Sequence, residues 1–118
     1  MDTNKTYDLE ERTFEFARDI RFFIKILPKT TANIEDSKQL IRSSGSVGAN
    51  YIEANEKLSK KDFLLRMKIS RKEAKESVYW LRLIAATNKL ENTQKAKELT
   101  NEAIELKKIL SSIIEKSQ

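Results

Sequence analysis

The residues with the greatest potential for chemistry are two pairs of glutamates, Glu53 with Glu56 and Glu73 with Glu76. Each pair places two carboxylates about one helical turn apart, as in di-metal carboxylate sites, but those sites also need Glu-x-x-His motifs. The 118-residue sequence contains no histidine and no cysteine, so neither a histidine or cysteine metal site nor a disulfide can form. Glutamate pairs are more often surface residues or salt-bridge partners. We therefore predict no metal and no cofactor.

A cluster of serines, Ser43, Ser44 and Ser46, has no histidine to activate it as a nucleophile. The same segment contains Gly45-Ser-Val-Gly48, which has the outline of an RNA-clamping Gly-x-x-Gly loop. The expected strands and basic middle residues are missing, however, and so is the Gly-Lys-Ser/Thr that completes a phosphate-binding loop. The sequence predicts that the protein is not an enzyme.

The elements that position these residues are predicted to be helices. The chain is 35% charged and has only two glycines and one proline, a composition that favours a single all-α domain. Apolar residues recur at helical spacing in four segments, approximately residues 7–27, 32–58, 60–87 and 93–115. Pro28 ends the first helix, Ser59 is a suitable N-cap for the third, and Asn92 or Thr93 for the fourth. Short connections favour an antiparallel up-down-up-down four-helix bundle.

The second helix combines small and polar residues in its middle. Each glycine costs a helix roughly 1 kcal/mol relative to alanine, so Gly45 and Gly48 indicate a very close approach to another helix. Polar side chains buried there need partners. Glu76 of the third helix needs a cation for the same reason, and Arg42 is the nearest candidate by type. We predict a structural polar network of Arg42, Ser43, Ser46, Asn50, Glu53 and Glu76.

Three of the four helices carry a second apolar stripe beside the one that faces the core. A single bundle needs one stripe for each helix, and a second stripe indicates a second surface to bury. Wide stripes that serve a thick core are the alternative. We favour self-association into a ring-shaped homo-oligomer because three helices share the feature. The predicted interface consists of Phe14, Phe22, Ile26, Leu65, Ile69, Trp80 and Leu83.

The net charge of +5 is concentrated in the third helix and its flanks. Residues 59–90 hold nine basic and three acidic side chains, whereas the rest of the chain is nearly balanced. A basic stripe that includes an aromatic ring suits a phosphate backbone and a stackable base. The alternative is a solvated face that keeps the protein soluble. Repetition around a ring favours the nucleic-acid interpretation, with a predicted site of Lys61, Lys68, Arg71, Lys72, Lys75, Tyr79 and Arg82.

The sequence also bears on where the protein is found. No apolar run approaches the roughly 18 residues that a membrane span requires. The N-terminal Met-Asp-Thr-Asn-Lys lacks the basic-then-apolar layout of a signal peptide. We expect a soluble, cytoplasmic protein with no membrane partner.

The segment from Gln39 to Ala54, which reads QLIRSSGSVGANYIEA, resembles the signature of a family of four-helix bundle proteins. These proteins are related to those encoded in bacterial 23S rRNA intervening sequences. Supporting matches are Arg12-Thr-Phe-x-Phe-Ala17, Ser59-Lys-Lys-Asp-Phe63 and the segment from Lys72 to Leu83. The resemblance extends over approximately residues 10–115.

The resemblance implies a closed homopentamer of up-down bundles around a central channel. It also implies kinship with the accessory variability protein of diversity-generating retroelements, a basic protein that binds nucleic acid and a reverse transcriptase. The cellular role of most members is unknown. We therefore expect a homo-oligomer that binds RNA or DNA, with a reverse transcriptase as a partner by kinship only. The alternative is a structural or protein-partner scaffold that binds no nucleic acid.

Overall fold

The computed structural model describes residues 8–56 and 59–118, except for the side chains of Leu90 and Asn92. This part of the chain contains four helices and no strands, which confirms the predicted all-α class. None of these helices combines the length and apolarity needed to cross a membrane. The helices are α1 (Leu9–Lys25), α2 (Thr31–Ala54), α3 (Lys60–Thr87) and α4 (Leu90–Ser117).

Three of the helices are preceded by an N-cap residue whose side chain accepts a hydrogen bond from a free backbone N–H group of the first turn. Asp8, Thr30 and Ser59 accept hydrogen bonds from the amides of Glu11, Asn33 and Asp62, at 3.1, 3.1 and 3.0 Å. Such caps stabilise a helix by about 1 kcal/mol each. Ser59 is therefore the N-cap of α3, as predicted. The predicted first residue of α1, Tyr7, and last residue of α2, Leu58, lie outside the described residues.

The start of α4 differs from the prediction. The helix begins at Leu90 without a side-chain cap, so a start at Asn92 or Thr93 is wrong. The Thr93 hydroxyl lies within the first turn and donates to the carbonyl of Lys89, the residue before the helix. The turn before α4 is stabilised by the side chain of Asn88, the residue that follows α3. The Asn88 amide donates to the Ile84 carbonyl at 2.8 Å and exchanges hydrogen bonds with the Asn33 amide at 2.8 and 2.9 Å.

The four helices share one core, and each contacts two of the others: α1 with α2, α2 with α3, α3 with α4, and α4 with α1. Phe16, Leu40, Leu81 and Leu106 supply one buried side chain from each helix. A second cluster of buried residues joins α2, α3 and α4. Burial of apolar area in these clusters provides the main favourable free energy of folding.

The small residues of α2 lie where it approaches its two neighbours. A Cβ atom at Gly48 would lie 2.8 Å from Thr13 Oγ1 of α1. On the α3 side, Ser70 Oγ donates to the Val47 carbonyl at 2.7 Å, a direct bond from a side chain to a neighbouring helix backbone. Helices can come this close only where side chains are short. The predicted close approach is present on both sides of α2.

Candidate nucleic-acid interface

The basic residues of α3 border an open cleft between α3 and α4. Burial of Met67, Ala74 and Leu81 fixes the rotation of α3, and the basic residues about a quarter turn away emerge beside α4. The cleft has a volume of about 400 Å³. Its lining residues are Lys68, Arg71, Lys72 and Lys75 of α3 with Lys107 and Ser111 of α4.

Three residues of the predicted site lie outside this cleft. Lys61, Tyr79 and Arg82 are exposed on α3 but do not line it. Lys107 and Ser111, in contrast, were not predicted from the sequence. They are four residues apart and so share a face of α4, but only the packing of α4 shows that this face is turned towards the basic residues.

The cleft is uniformly positive. It is lined by five cations and no carboxylate. Across the described residues, none of the five forms an ion pair with an acidic side chain. Like charges held close together repel, and an anion that enters the cleft removes this repulsion. The arrangement therefore favours a ligand with several negative charges, such as consecutive phosphates.

A polar network lies at the α2–α3 contact, centred on Arg42. Its guanidinium donates to both carboxylate oxygens of Glu73, at 3.2 and 3.4 Å, and to Oε2 of Glu76. The same Glu76 oxygen accepts a hydrogen bond from Trp80 Nε1 at 3.0 Å. Glu73 is only 6% exposed, so its charge needs this partner. The Glu73–Glu76 pair serves to bind a cation from α2.

The electrostatics of Glu76 follow from these contacts. The hydrogen bond from Trp80 and the one from Arg42 lower the pKa of Glu76 below its ordinary value, because both stabilise the carboxylate. The positive charge of Lys72 lowers the pKa of Glu76 further. In turn, the hydrogen bond to Glu76 is the main cause of a raised pKa for Arg42. Both groups are charged at neutral pH.

The other predicted members form separate pairs along α2. Ser43 Oγ lies 2.9 Å from Ser77 Oγ, and both side chains are fully buried. The Asn50 amide donates to Ser46 Oγ at 3.0 Å. Its carbonyl oxygen accepts from Arg66, a cation that the sequence interpretation missed, at 3.2 Å.

Glu53 does not belong to this network, which corrects the sequence prediction. It is exposed, and it makes no hydrogen bond with the other side chains that the structure describes. Water can solvate its carboxylate, so no protein partner is required. Across the described residues, every buried side-chain nitrogen and oxygen atom has a hydrogen-bond partner.

Large apolar side chains remain exposed on the outer faces of α1, α2 and α3. Phe14 of α1 and Ile26, the residue that follows α1, are both 61% exposed. The other exposed members of the predicted interface are Phe22 and Leu65, whereas Ile69, Trp80 and Leu83 are half-buried. The outer face of α2 adds Ile34, Ile41 and Ile52, which the predicted interface did not include. Apolar groups of this size are costly to leave in water when they are contiguous.

Comparison with known proteins assigns the family. The family model described as "23S rRNA-intervening sequence protein" matches residues 5–112. The chain belongs to this family. All six cleft residues lie within the matched range, as does the Arg42 network.

A solved structure of similar sequence supports the membership in the 23S rRNA-intervening sequence family. It is a protein of unknown function from the S23 ribosomal protein family of Bacteroides thetaiotaomicron VPI-5482. The two sequences are 36% identical, and the superposition has a TM-score of 0.78 and covers 89% of this chain and 96% of that chain. No curated protein matches the chain.

Proposed function

We propose that this 23S rRNA-intervening sequence protein is a non-enzymatic, oligomeric up-down-up-down helical bundle that binds RNA or DNA. Binding takes place through the basic face of α3 and the α3–α4 cleft. The observation that carries the proposal is the cleft itself, where five cations line one open volume and form no ion pair with the acidic side chains that the structure describes. Phosphates are the polyanion that such a site fits best.

The chemistry of the cleft supports binding to the phosphate backbone rather than recognition of a base sequence. Lysine ammonium groups act as mobile point charges, and the one arginine adds a planar donor. Such contacts bind nucleic acid with little dependence on base sequence and weaken steeply as salt rises.

The test is retention of labelled single- and double-stranded RNA and DNA from low to moderate salt. The variant with Lys68, Arg71, Lys72 and Lys75 changed to Glu should lose binding and keep its oligomeric state. A matched control changes Lys29, Lys38, Lys95 and Lys116 to Glu, which lowers the net charge equally but leaves the cleft intact. The control should bind well above the cleft variant. No binding by the wild-type protein at low salt would overturn the proposal in favour of the scaffold alternative.

The exposed apolar faces support self-assembly as part of the same function. Repetition of the basic face around a closed ring would multiply its phosphate contacts, which is the arrangement that the family resemblance implies for a homopentamer. Light scattering coupled to size exclusion measures the mass directly. We expect a single oligomer and its dissociation in Phe14→Ser or Leu65→Ser, while Phe16→Ser should instead unfold the bundle. A monomeric wild-type protein would refute the assembly proposal.

A further inference from the structure

We propose that Tyr79 is a stacking platform for an unpaired base, and that the basic face of α3 therefore prefers single-stranded to double-stranded nucleic acid. The inference rests on the proposed nucleic-acid binding and adds the class of ligand. It starts from the position of Tyr79, which is outside the cleft but in line with it.

Tyr79 continues a row of cations along α3. Lys68, Lys72, Lys75 and Tyr79 are separated by four, three and four residues, so that they follow one another on a single helix face. At a rise of 1.5 Å per residue, the row extends about 16 Å along the axis. A strand whose phosphates lie along the lysines therefore brings its bases past the tyrosine.

The ring of Tyr79 is available and held in place. Its side chain is 56% exposed, although an aromatic ring of this size gains free energy from burial. The ring packs against Trp80 in a T-shaped arrangement, with ring centroids 5.0 Å apart and an angle of 77° between the ring planes. Trp80 is anchored in turn by its hydrogen bond to Glu76, and Glu76 by Arg42. The polar network thus limits the motion of the ring beside the basic face.

A held, exposed aromatic ring beside phosphate-binding cations discriminates between nucleic-acid forms. Bases in a single strand can leave their neighbours and stack on the ring, which contributes roughly 1–3 kcal/mol per base. Bases inside a duplex are paired and stacked already, and only the duplex ends can reach a tyrosine on a helix surface. The cations bind both forms through their phosphates, so the difference in affinity between single and double strands comes from Tyr79.

The experiment compares affinities of the intact protein for matched probes. These are a single strand, the same sequence as a duplex, and an abasic single strand with the same phosphates, each made in RNA and in DNA. We expect Tyr79→Ala to weaken binding of the single strand about tenfold, equivalent to about 1.4 kcal/mol. Binding of the duplex and of the abasic strand should stay within about twofold. Tyr79→Phe, which keeps the ring, should bind like the wild-type protein.

The possible results separate this inference from the proposed function. Equal losses on all three probes in Tyr79→Ala would show that the substitution disturbs the phosphate site, and would overturn the stacking role. An unchanged affinity for the single strand would overturn it as well, while nucleic-acid binding would still stand. If the wild-type protein binds no probe at low salt, both proposals fail. Comparison of the RNA and DNA arms shows which single strand is preferred.

Discussion

Gly48 of α2 and Thr13 of α1 are so close that only hydrogen fits between the α2 backbone and the threonine side chain. A Cβ atom at Gly48 would lie 2.8 Å from Thr13 Oγ1 and 3.1 Å from Thr13 Cβ. Thr13 is itself held by a hydrogen bond from its hydroxyl to the Leu9 carbonyl at 2.6 Å, and it is only 1% exposed. A side chain at Gly48 could therefore be accommodated only if Thr13 shifted.

We expect Gly48→Ala to destabilise the protein by about 1–3 kcal/mol despite the higher helix propensity of alanine, because Thr13 must move. Gly45→Ala is the matched control. Its Cβ would lie 3.2 Å from the end of the flexible Arg21 side chain, so the propensity gain of up to about 1 kcal/mol should prevail. Urea unfolding measures both. Equal stability of the two variants would contradict the steric account, whereas Thr13→Ala should partly rescue Gly48→Ala.

The buried Ser43–Ser77 pair should behave as a coupled unit. Ser77 Oγ donates to the Glu73 carbonyl at 3.0 Å, which leaves its lone pairs for the Ser43 hydroxyl. Each change to alanine should cost about 1 kcal/mol, and the double variant should cost less than the sum. A double-mutant cycle by urea unfolding measures the coupling, with exposed Ser112→Ala as control. Simple additivity would show that the pair does not contribute to α2–α3 register.

The Glu76 carboxylate should make stability depend on pH in the acid range. Its pKa is lower in the folded protein than the ordinary 4.5, so its contribution is fully present above pH 4.5 and is lost as the pH falls through the lowered value. We expect Glu76→Gln to be less stable than the wild-type protein at neutral pH, with the difference shrinking below pH 4.5. The midpoints of urea unfolding, measured for both proteins across this pH range, test how the difference in stability changes with pH. Glu53→Gln controls for the change in net charge, and a difference that does not vary with pH would count against the prediction.

The salt dependence of nucleic-acid binding should identify Lys107 as part of the interface. If its ammonium group contacts one phosphate, Lys107→Gln should reduce the slope of log affinity against log salt by about 0.7 for a single strand. The adjacent Lys108 is exposed, pairs with Glu105 at 3.8 Å and does not line the cleft. Lys108→Gln is therefore the matched control and should leave the slope unchanged. Identical slopes for the two variants would remove Lys107 from the interface.

Local patterns in the sequence were sufficient for the helices and for much of the polar chemistry. The apolar spacing predicts four helices because a helix that buries one face must repeat its apolar residues every three to four positions. Ser59 could be predicted as a cap because the bond spans only three residues. Arg42 could be proposed as the partner of Glu76 because a buried carboxylate needs a cation or hydrogen-bond donors, and Arg42 is the nearest candidate by type. The basic face of α3 follows from charge and helical period alone.

Only the tertiary structure decided which groups meet across helices. The rotation of each helix about its axis depends on packing with its neighbours, so the sequence does not show that Lys107 joins the basic face, or that Arg42 also binds Glu73. Glu53 has the residue type and spacing of a network member, but its side chain faces solvent. The small residues of α2 predicted a close contact with another helix. Only the tertiary structure shows that Thr13 is the partner of Gly48. The spacing of apolar residues can be seen within a single helix, whereas the distances between side chains of different helices depend on how all four helices pack.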